Sequence, residues 1–241
     1  MWTQCARAFA GILFPQTCAG CDGILANGST DFCDACGPTF AELVGLPCCA
    51  RCGRTLAPYV SPDNICPLCR TKTPLTDGLV RVGPYDGPIE SMIQNFKFRA
   101  RYHLERTAVS LLAARLESAP WRNDLDWIVP VPTHWSRRSI RREYLADRLA
   151  RGVARACNLP YRSSLRRIRG GPNQYELATP AQRAANVHGA FTVARGARLK
   201  GARICLVDDI STTGATLAEV RRVLHNAGVA KCYAAILAKA G

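Results

Sequence analysis

The apolar and polar positions change rhythm once along the chain, near residue 75. Before that point large apolar side chains are sparse: Phe32, Phe40, Leu43, Leu46 and Leu56 stand among small and polar residues. Beyond it, strand-like and helix-like runs alternate. Trp127-Ile128-Val129-Pro130-Val131-Pro132 is short, apolar and closed by proline. Arg203-Ile204-Cys205-Leu206-Val207 is apolar on both faces, as buried parallel strands are. Leu217, Val220, Val223, Leu224 and Ala227 then fall on one face of a predicted helix that Gly228 stops. Lys231 to Leu237 reads as the next strand, and a further helix is expected around Ala146–Ala156. Strand, loop, helix and strand in that order predict an α/β fold with a parallel sheet flanked by helices. The change of rhythm divides the chain into a small module, 1–74, and a larger domain, 75–241.

Cysteine supplies what the first module lacks in apolar bulk. Of the 13 cysteines, ten lie in residues 1–69, and eight of those form four Cys-x-x-Cys pairs: Cys18/Cys21, Cys33/Cys36, Cys49/Cys52 and Cys66/Cys69. Each pair makes a knuckle whose sulfurs face one point, and two knuckles supply a tetrahedral Zn²⁺ site. The gaps of 11 and 13 residues suit hairpins that bring neighbouring knuckles together, so sequential pairing is favoured over an interleaved cross-brace. Gly23, Gly37 and Gly53 follow three of the pairs, where a left-handed residue can turn N–H groups toward sulfur. With four protein ligands apiece, two zinc sites would be structural and would supply much of the module's folding energy. Cys48 is a spare thiol or an alternative ligand; Cys157, Cys205 and Cys232 sit in apolar surroundings and read as core.

Nothing approaches the roughly 18 apolar residues of a membrane span. The apolar stretch after Arg7 is short, and no small-residue cleavage site follows it cleanly. A cytoplasmic location is therefore expected, where paired cysteines hold metal rather than disulfides.

Charge is as uneven as cysteine. Residues 1–69 carry three arginines, no lysine and five acids, a net −2, against 29 bases and 13 acids, a net +16, in the rest. Two zinc tetrathiolates would take the first segment to about −6 and the whole chain from +14 to about +10. Within the basic domain, residues 137–169 hold 11 arginines and two acids, with Trp135, Tyr144 and Tyr161 interleaved. Such a stripe can hold nucleic-acid phosphates while aromatics stack on bases, or it can simply solvate a helix face. The four histidines (103, 134, 188 and 225) have no metal-like spacing.

The most informative stretch follows the second apolar strand: Asp208, Asp209, Ile210, Ser211, Thr212, Thr213, Gly214, Ala215 and Thr216. Hydroxyls and N–H groups at a helix start can hold a phosphate dianion at the helix's positive end. Two carboxylates beside it can accept hydrogen bonds from sugar hydroxyls. Together they suit a sugar 5-phosphate. A cap would explain one such residue but not six. Neither a P-loop nor a dinucleotide-binding glycine pattern occurs.

The run from Val207 to Thr216 resembles the phosphoribosyl pyrophosphate motif of type I phosphoribosyltransferases. The whole arrangement is similar to the ComF (ComFC-like) competence family, a double zinc ribbon followed by a type I phosphoribosyltransferase-like domain. Phe96-Lys97-Phe98-Arg99, Val129-Pro130-Val131-Pro132, Arg137 and Arg141 match that family's pattern, as do Gln174, Leu177, Arg183, Asn186 and Gly189-Ala190-Phe191. Arg142, Glu143, Tyr144 and Leu145 depart from it, standing where glycine, an aromatic, asparagine and glutamine are usual. Thr212 replaces the aspartate that serves purine-salvage members as general base.

The resemblance implies that Ser211 to Thr216 take the 5-phosphate and that Asp208 and Asp209 take the ribose diol, with Mg²⁺ bridging diol and pyrophosphate. Lys97, Arg137 and Arg141 become candidates for the pyrophosphate, and residues 162–190, with Gly170-Gly171-Pro172, for a mobile lid. The partners it implies are phosphoribosyl pyrophosphate, single-stranded DNA and the machinery of DNA uptake in natural transformation. The rival expectation is a nucleic-acid-binding module on a catalytically silent fold.

Overall fold

The computed structural model describes residues 16–25, 31–57, 63–71, 74–98, 101, 104–132, 145–170 and 179–241. In chain order the elements are helices α1 (Cys36–Gly45) and α2 (Pro67–Thr71), strand β1 (Gly78–Pro84), helices α3 (Gly87–Phe98) and α4 (Leu104–Glu117), and strand β2 (Trp127–Pro130). Then follow α5 (Leu145–Ala156), β3 (Leu165–Arg167), α6 (Pro180–Val187), β4 (Phe191–Val193), β5 (Arg203–Ser211), α7 (Ala215–Asn226) and β6 (Lys231–Lys239). Four strands form one parallel sheet in the order β1-β6-β5-β2.

The inner strands are apolar on both faces because both faces are covered. On β5, Cys205 and Val207 face α3, α4 and α5, while Ile204 and Leu206 face α7; on β6, Ala235 and Leu237 alternate with Ala234 and Ile236 in the same way. Helix α5 buries Leu145, Leu149 and Val153 in one stripe, and α7 buries Leu217, Val220 and Leu224. The covering helix changes face at β5, with α5 before it and α7 after it. In open α/β sheets such a reversal opens a crevice at the carboxyl end of the strand, and here that end carries Asp208 to Ser211.

Strand β5 runs four residues past the apolar stretch that predicted it, and β6 two past Leu237. Pairing explains the extension. The ladder continues from Asp208 opposite Ile236 to Ser211 opposite Lys239, so the acids lie on the strand itself rather than in the loop. A smaller antiparallel ribbon, β3 with β4, anchors Leu165 and Phe191 against α7. Before β4, α6 opens on a capping box of Thr179 and Gln182, and the Gly189 N–H donates to Glu219 of α7 at 2.8 Å. These elements occupy part of the expected lid; residues 171–178 lie outside the described residues.

The cysteine-rich module covers one edge of the sheet. The Leu79 N–H of edge strand β1 donates to Ala50 O at 2.7 Å, inside the third knuckle, and Arg81 donates to Thr55 Oγ1 at 2.8 Å. Nearer the amino terminus, Arg101 pairs with Asp22 at 3.0 Å and the Arg115 guanidinium donates to Val44 O. Phe32 stacks on Phe40 at 4.1 Å and joins the core beneath α3 and α4. An unpaired strand edge is thereby blunted by a metal-binding module.

At the amino end of the sheet Trp121 stacks on Tyr233 with ring centroids 4.4 Å apart. A β-carbon on Gly78 would stand 2.5 Å from the Trp121 indole nitrogen and 3.2 Å from the Tyr233 ring. Neither ring can withdraw without breaking the stack, so Gly78→Ala should cost about 1–3 kcal/mol. Urea unfolding followed by tryptophan fluorescence checks this; an unshifted midpoint would show that the stack can move aside.

Candidate functional site

The eight paired cysteines gather into two clusters, Cys18/Cys21/Cys33/Cys36 and Cys49/Cys52/Cys66/Cys69, with the ligand atoms of each within 4.8 Å of one another. The grouping is sequential. Four sulfurs about 2.3 Å from a tetrahedral Zn²⁺ lie about 3.8 Å apart. Cys21 and Cys33 are 3.6 Å apart and Cys52 and Cys66 3.8 Å, so the donor sets fit zinc as they stand. Backbone N–H groups of Gly20 and Cys33 point at Cys18 Sγ, each at 3.3 Å, and that of Cys66 at Cys49 Sγ at 3.4 Å, as thiolates require. The left-handed residue follows the second cysteine of the first and third knuckles: Gly53 at φ 74° and, in place of a glycine, Asp22 at φ 64°. Cys36 and Cys69 lie instead in α1 and α2, so Gly37 takes helical backbone. Cys48 stays outside both clusters, while Cys157, Cys205 and Cys232 are buried in the sheet core as expected. No helix among the described residues is long and apolar enough to cross a membrane.

The carboxyl end of β5 and the start of α7 bring the phosphate-site candidates together. The Asp209 N–H donates to Asp208 Oδ1 at 2.9 Å, and the Ile210 N–H to Asp209 Oδ1 at 2.7 Å. Lys97, at the end of α3, reaches across the sheet to Asp209 Oδ2 at 2.8 Å. Ser211 is buried, and its hydroxyl has no hydrogen-bond partner among the described residues. Gly214 caps α7 at φ 81°, left-handed backbone that suits glycine, and the Leu75 side chain fills the place a β-carbon would take. The Ala215 N–H donates to Thr213 Oγ1 at 3.3 Å. Thr212, Thr213 and Thr216 are all partly exposed at the helix's amino end. A buried hydroxyl without a partner, beside free helix N–H groups, is a cradle suited to an anion.

Residues 9–70 match the double zinc ribbon domain family, and residues 143–241 the phosphoribosyl transferase domain family. Over 94% of its length the chain is 29% identical to Competence protein F of Haemophilus influenzae, covering 98% of that protein. It is 30% identical to the DNA utilization protein YhgH of Salmonella typhimurium, over 90% of this chain and 93% of the relative. The chain belongs to the ComF competence family. Among solved structures, an allosteric regulatory enzyme of purine biosynthesis aligns with 60% of this chain and 30% of its own, at 20% identity and a TM-score of 0.39. Adenine phosphoribosyltransferase from Leishmania tarentolae aligns with 58% of each chain, at 16% identity and a TM-score of 0.35.

Lys97, one of the candidates for pyrophosphate, stands with its ammonium on the Asp209 carboxylate beside the loop. Arg137 and Arg141, the other pyrophosphate candidates, lie outside the described residues, as do Trp135 and Tyr144. Much of the remaining arginine run is engaged internally. Arg148 pairs with Glu105, and Arg151 pairs with Asp147 at 2.8 Å while lying 4.2 Å over the Tyr161 ring. Arg162 lies 4.0 Å over the Trp127 ring, and Arg167 5.5 Å over that of Phe191. Tyr161, a stacking candidate, has one face covered and its hydroxyl bonded to Asp147. One residue the sequence reading missed is Lys239, whose buried ammonium donates to Thr212 O beneath the loop. Its only signal is a lysine closing a nearly all-apolar strand.

The two acids are pushed in opposite directions. Burial, and then the charge of Asp209, push the Asp208 carboxyl well above the usual carboxylate range. Burial pushes Asp209 the same way, but the Lys97 charge and hydrogen bond and the Ile210 N–H outweigh it and hold Asp209 low. The Asp209 charge in turn raises Lys97. A carboxyl whose folded pKa exceeds its unfolded value, near 4, destabilises the fold above that pH and ceases to do so below it. Asp208→Asn keeps an oxygen for the Asp209 N–H and removes the charge. Without ligand, we expect this variant to melt higher than the parent at pH 8, the gain shrinking as pH falls toward 4. A lower melting temperature at pH 8 would contradict the burial argument.

Proposed function

We propose that the carboxy-terminal domain binds phosphoribosyl pyrophosphate and that the protein acts in the uptake or use of DNA, a reading supported by the words competence and DNA utilization in its relatives' names. One observation carries the binding reading. A hydroxyl- and N–H-lined helix start with a buried, unpartnered Ser211 hydroxyl adjoins two carboxylates at the carboxyl end of an inner parallel strand. The 5-phosphate would lie on Ser211 to Thr216, and the ribose diol would donate to Asp208 and Asp209. Mg²⁺, accompanying the pyrophosphate, would neutralise its charge and draw on the same two carboxylates.

In a phosphoribosyl transfer the bond from C1 to pyrophosphate breaks through a cationic, oxocarbenium-like state, and the protein contributes position and charge rather than covalent chemistry. The described loop has that character. Thr212 offers no carboxylate at the position where purine-salvage members of the wider fold place a general base, which disfavours purine as the acceptor.

Asp208→Asn combined with Asp209→Asn leaves an amide oxygen at each position but removes both negative charges that the diol and its cation would meet. Hydrogen bonds to charged groups contribute about 1.5–3 kcal/mol each, so affinity for phosphoribosyl pyrophosphate with Mg²⁺ should fall roughly a hundredfold or more. Titration calorimetry measures it, and equal affinity in parent and double variant would end the site assignment.

A second reading rests on the arginine run. If it holds single-stranded DNA, affinity should fall steeply as salt rises, because each neutralised phosphate releases counterions. Replacing Arg137, Arg138, Arg141 and Arg142 with alanine should flatten that slope by about 0.7 for every phosphate left without its arginine. A salt-independent affinity in the parent protein would remove the nucleic-acid interface.

A further inference from the structure

The phosphate loop is shaped from below, and two bonds do it. Ser211 O accepts the Ala240 N–H at 3.0 Å, and Thr212 O accepts the Lys239 ammonium. Both acceptors belong to trans peptide units, in which carbonyl and following N–H point opposite ways. Drawing these two carbonyls toward β6 and its end therefore aims the N–H groups of Thr212 and Thr213 the opposite way, away from β6. Neither N–H has a hydrogen-bond partner among the described residues.

Lys239 is 6% exposed, an unusual state for a lysine, and its ammonium also donates to Ala240 O at 2.6 Å and Gly241 O at 3.3 Å. Its stem is hemmed in by the second zinc ribbon. A β-carbon on Gly53, the left-handed residue after Cys52, would stand 3.7 Å from Lys239 Cβ and 2.8 Å from Leu79 Cδ2. The third knuckle also holds the neighbouring strand through Ala50 O.

We propose that Lys239 is a positioning residue for the 5-phosphate loop: its buried ammonium, packed under the second zinc ribbon, holds the Thr212 carbonyl so that the Thr213 N–H faces the ligand. This rests on the phosphoribosyl pyrophosphate reading of the loop. Lys239 touches no part of the ligand; it acts through the orientation of one peptide unit.

The test separates the two halves of the ligand, using ribose 5-phosphate alone and Mg-pyrophosphate alone as calorimetric probes on the full zinc-loaded chain. Lys239→Met keeps the stem and deletes the donor; Lys239→Gln keeps an uncharged donor. We expect Lys239→Met to weaken ribose 5-phosphate tenfold or more with Mg-pyrophosphate affinity unchanged, and Lys239→Gln to recover part of the loss. Equal ribose 5-phosphate affinity in parent and Lys239→Met overturns the proposal, and so does an equal loss of both probes, which marks a merely structural residue. Should Lys239→Met not fold, Lys239→Gln alone decides: a selective weakening of ribose 5-phosphate supports the role, and parent-like affinity refutes it. Failure of the parent itself to bind ribose 5-phosphate overturns the reading of the loop rather than the role of Lys239 alone.

Discussion

The parallel pairing of β5 with β6 is the constraint on which the rest of the domain depends. It sets the two-faced burial that lets α5 cover one side and α7 the other, and so determines where the crevice opens. Its last rungs do something a hydrophobic ladder cannot. By continuing to Ser211 opposite Lys239, the pairing carries regular backbone past the apolar core and into the polar site, so the acids stand on a rigid strand. Loop residues then have little freedom left.

Electrostatics oppose that arrangement. Two adjacent carboxylates at a strand end, with Asp208 pushed well above the usual carboxylate range by burial and by its neighbour's charge, are a poor way to stabilise a sheet. Lys97, brought over the sheet by α3, relieves half of the strain by pairing with Asp209. Asp208 is left with burial and the Asp209 charge against it. The zinc clusters show the opposite logic. Cys18 and Cys49 accept backbone N–H groups at 3.3–3.4 Å, and the sulfur spacing of both clusters matches the metal.

Much of this is written locally. The cysteine spacing announced the two clusters, because ligands that share a knuckle must be neighbours in sequence. The acids, hydroxyls and glycine after Val207 announced the loop for the same reason, and the strands around residues 128 and 205 were visible in their unbroken apolar runs. Contacts between distant segments were not visible. No spacing places Lys97 on Asp209, 112 residues away, and no periodicity shows that Arg151 is spent on Asp147 and Tyr161 rather than turned to solvent. Lys239 escaped because burial of a lysine is decided by what packs over it, here a turn from the other end of the chain. Strand lengths were underestimated for a related reason: pairing partners, not side-chain hydrophobicity, carry β5 to Ser211.

The strand order has a consequence for how the chain is made. β1 pairs with β6 and β2 with β5, the last two strands in sequence, and β2 has besides a single parallel bridge from Ile128 to Tyr161. A nascent chain emerging as far as residue 200 therefore lacks both inner strands of the main sheet. The zinc ribbons need no such wait, since each closes over ligands fewer than 21 residues apart. They emerge first, and in the folded chain the third knuckle caps the β1 edge through the Ala50 carbonyl.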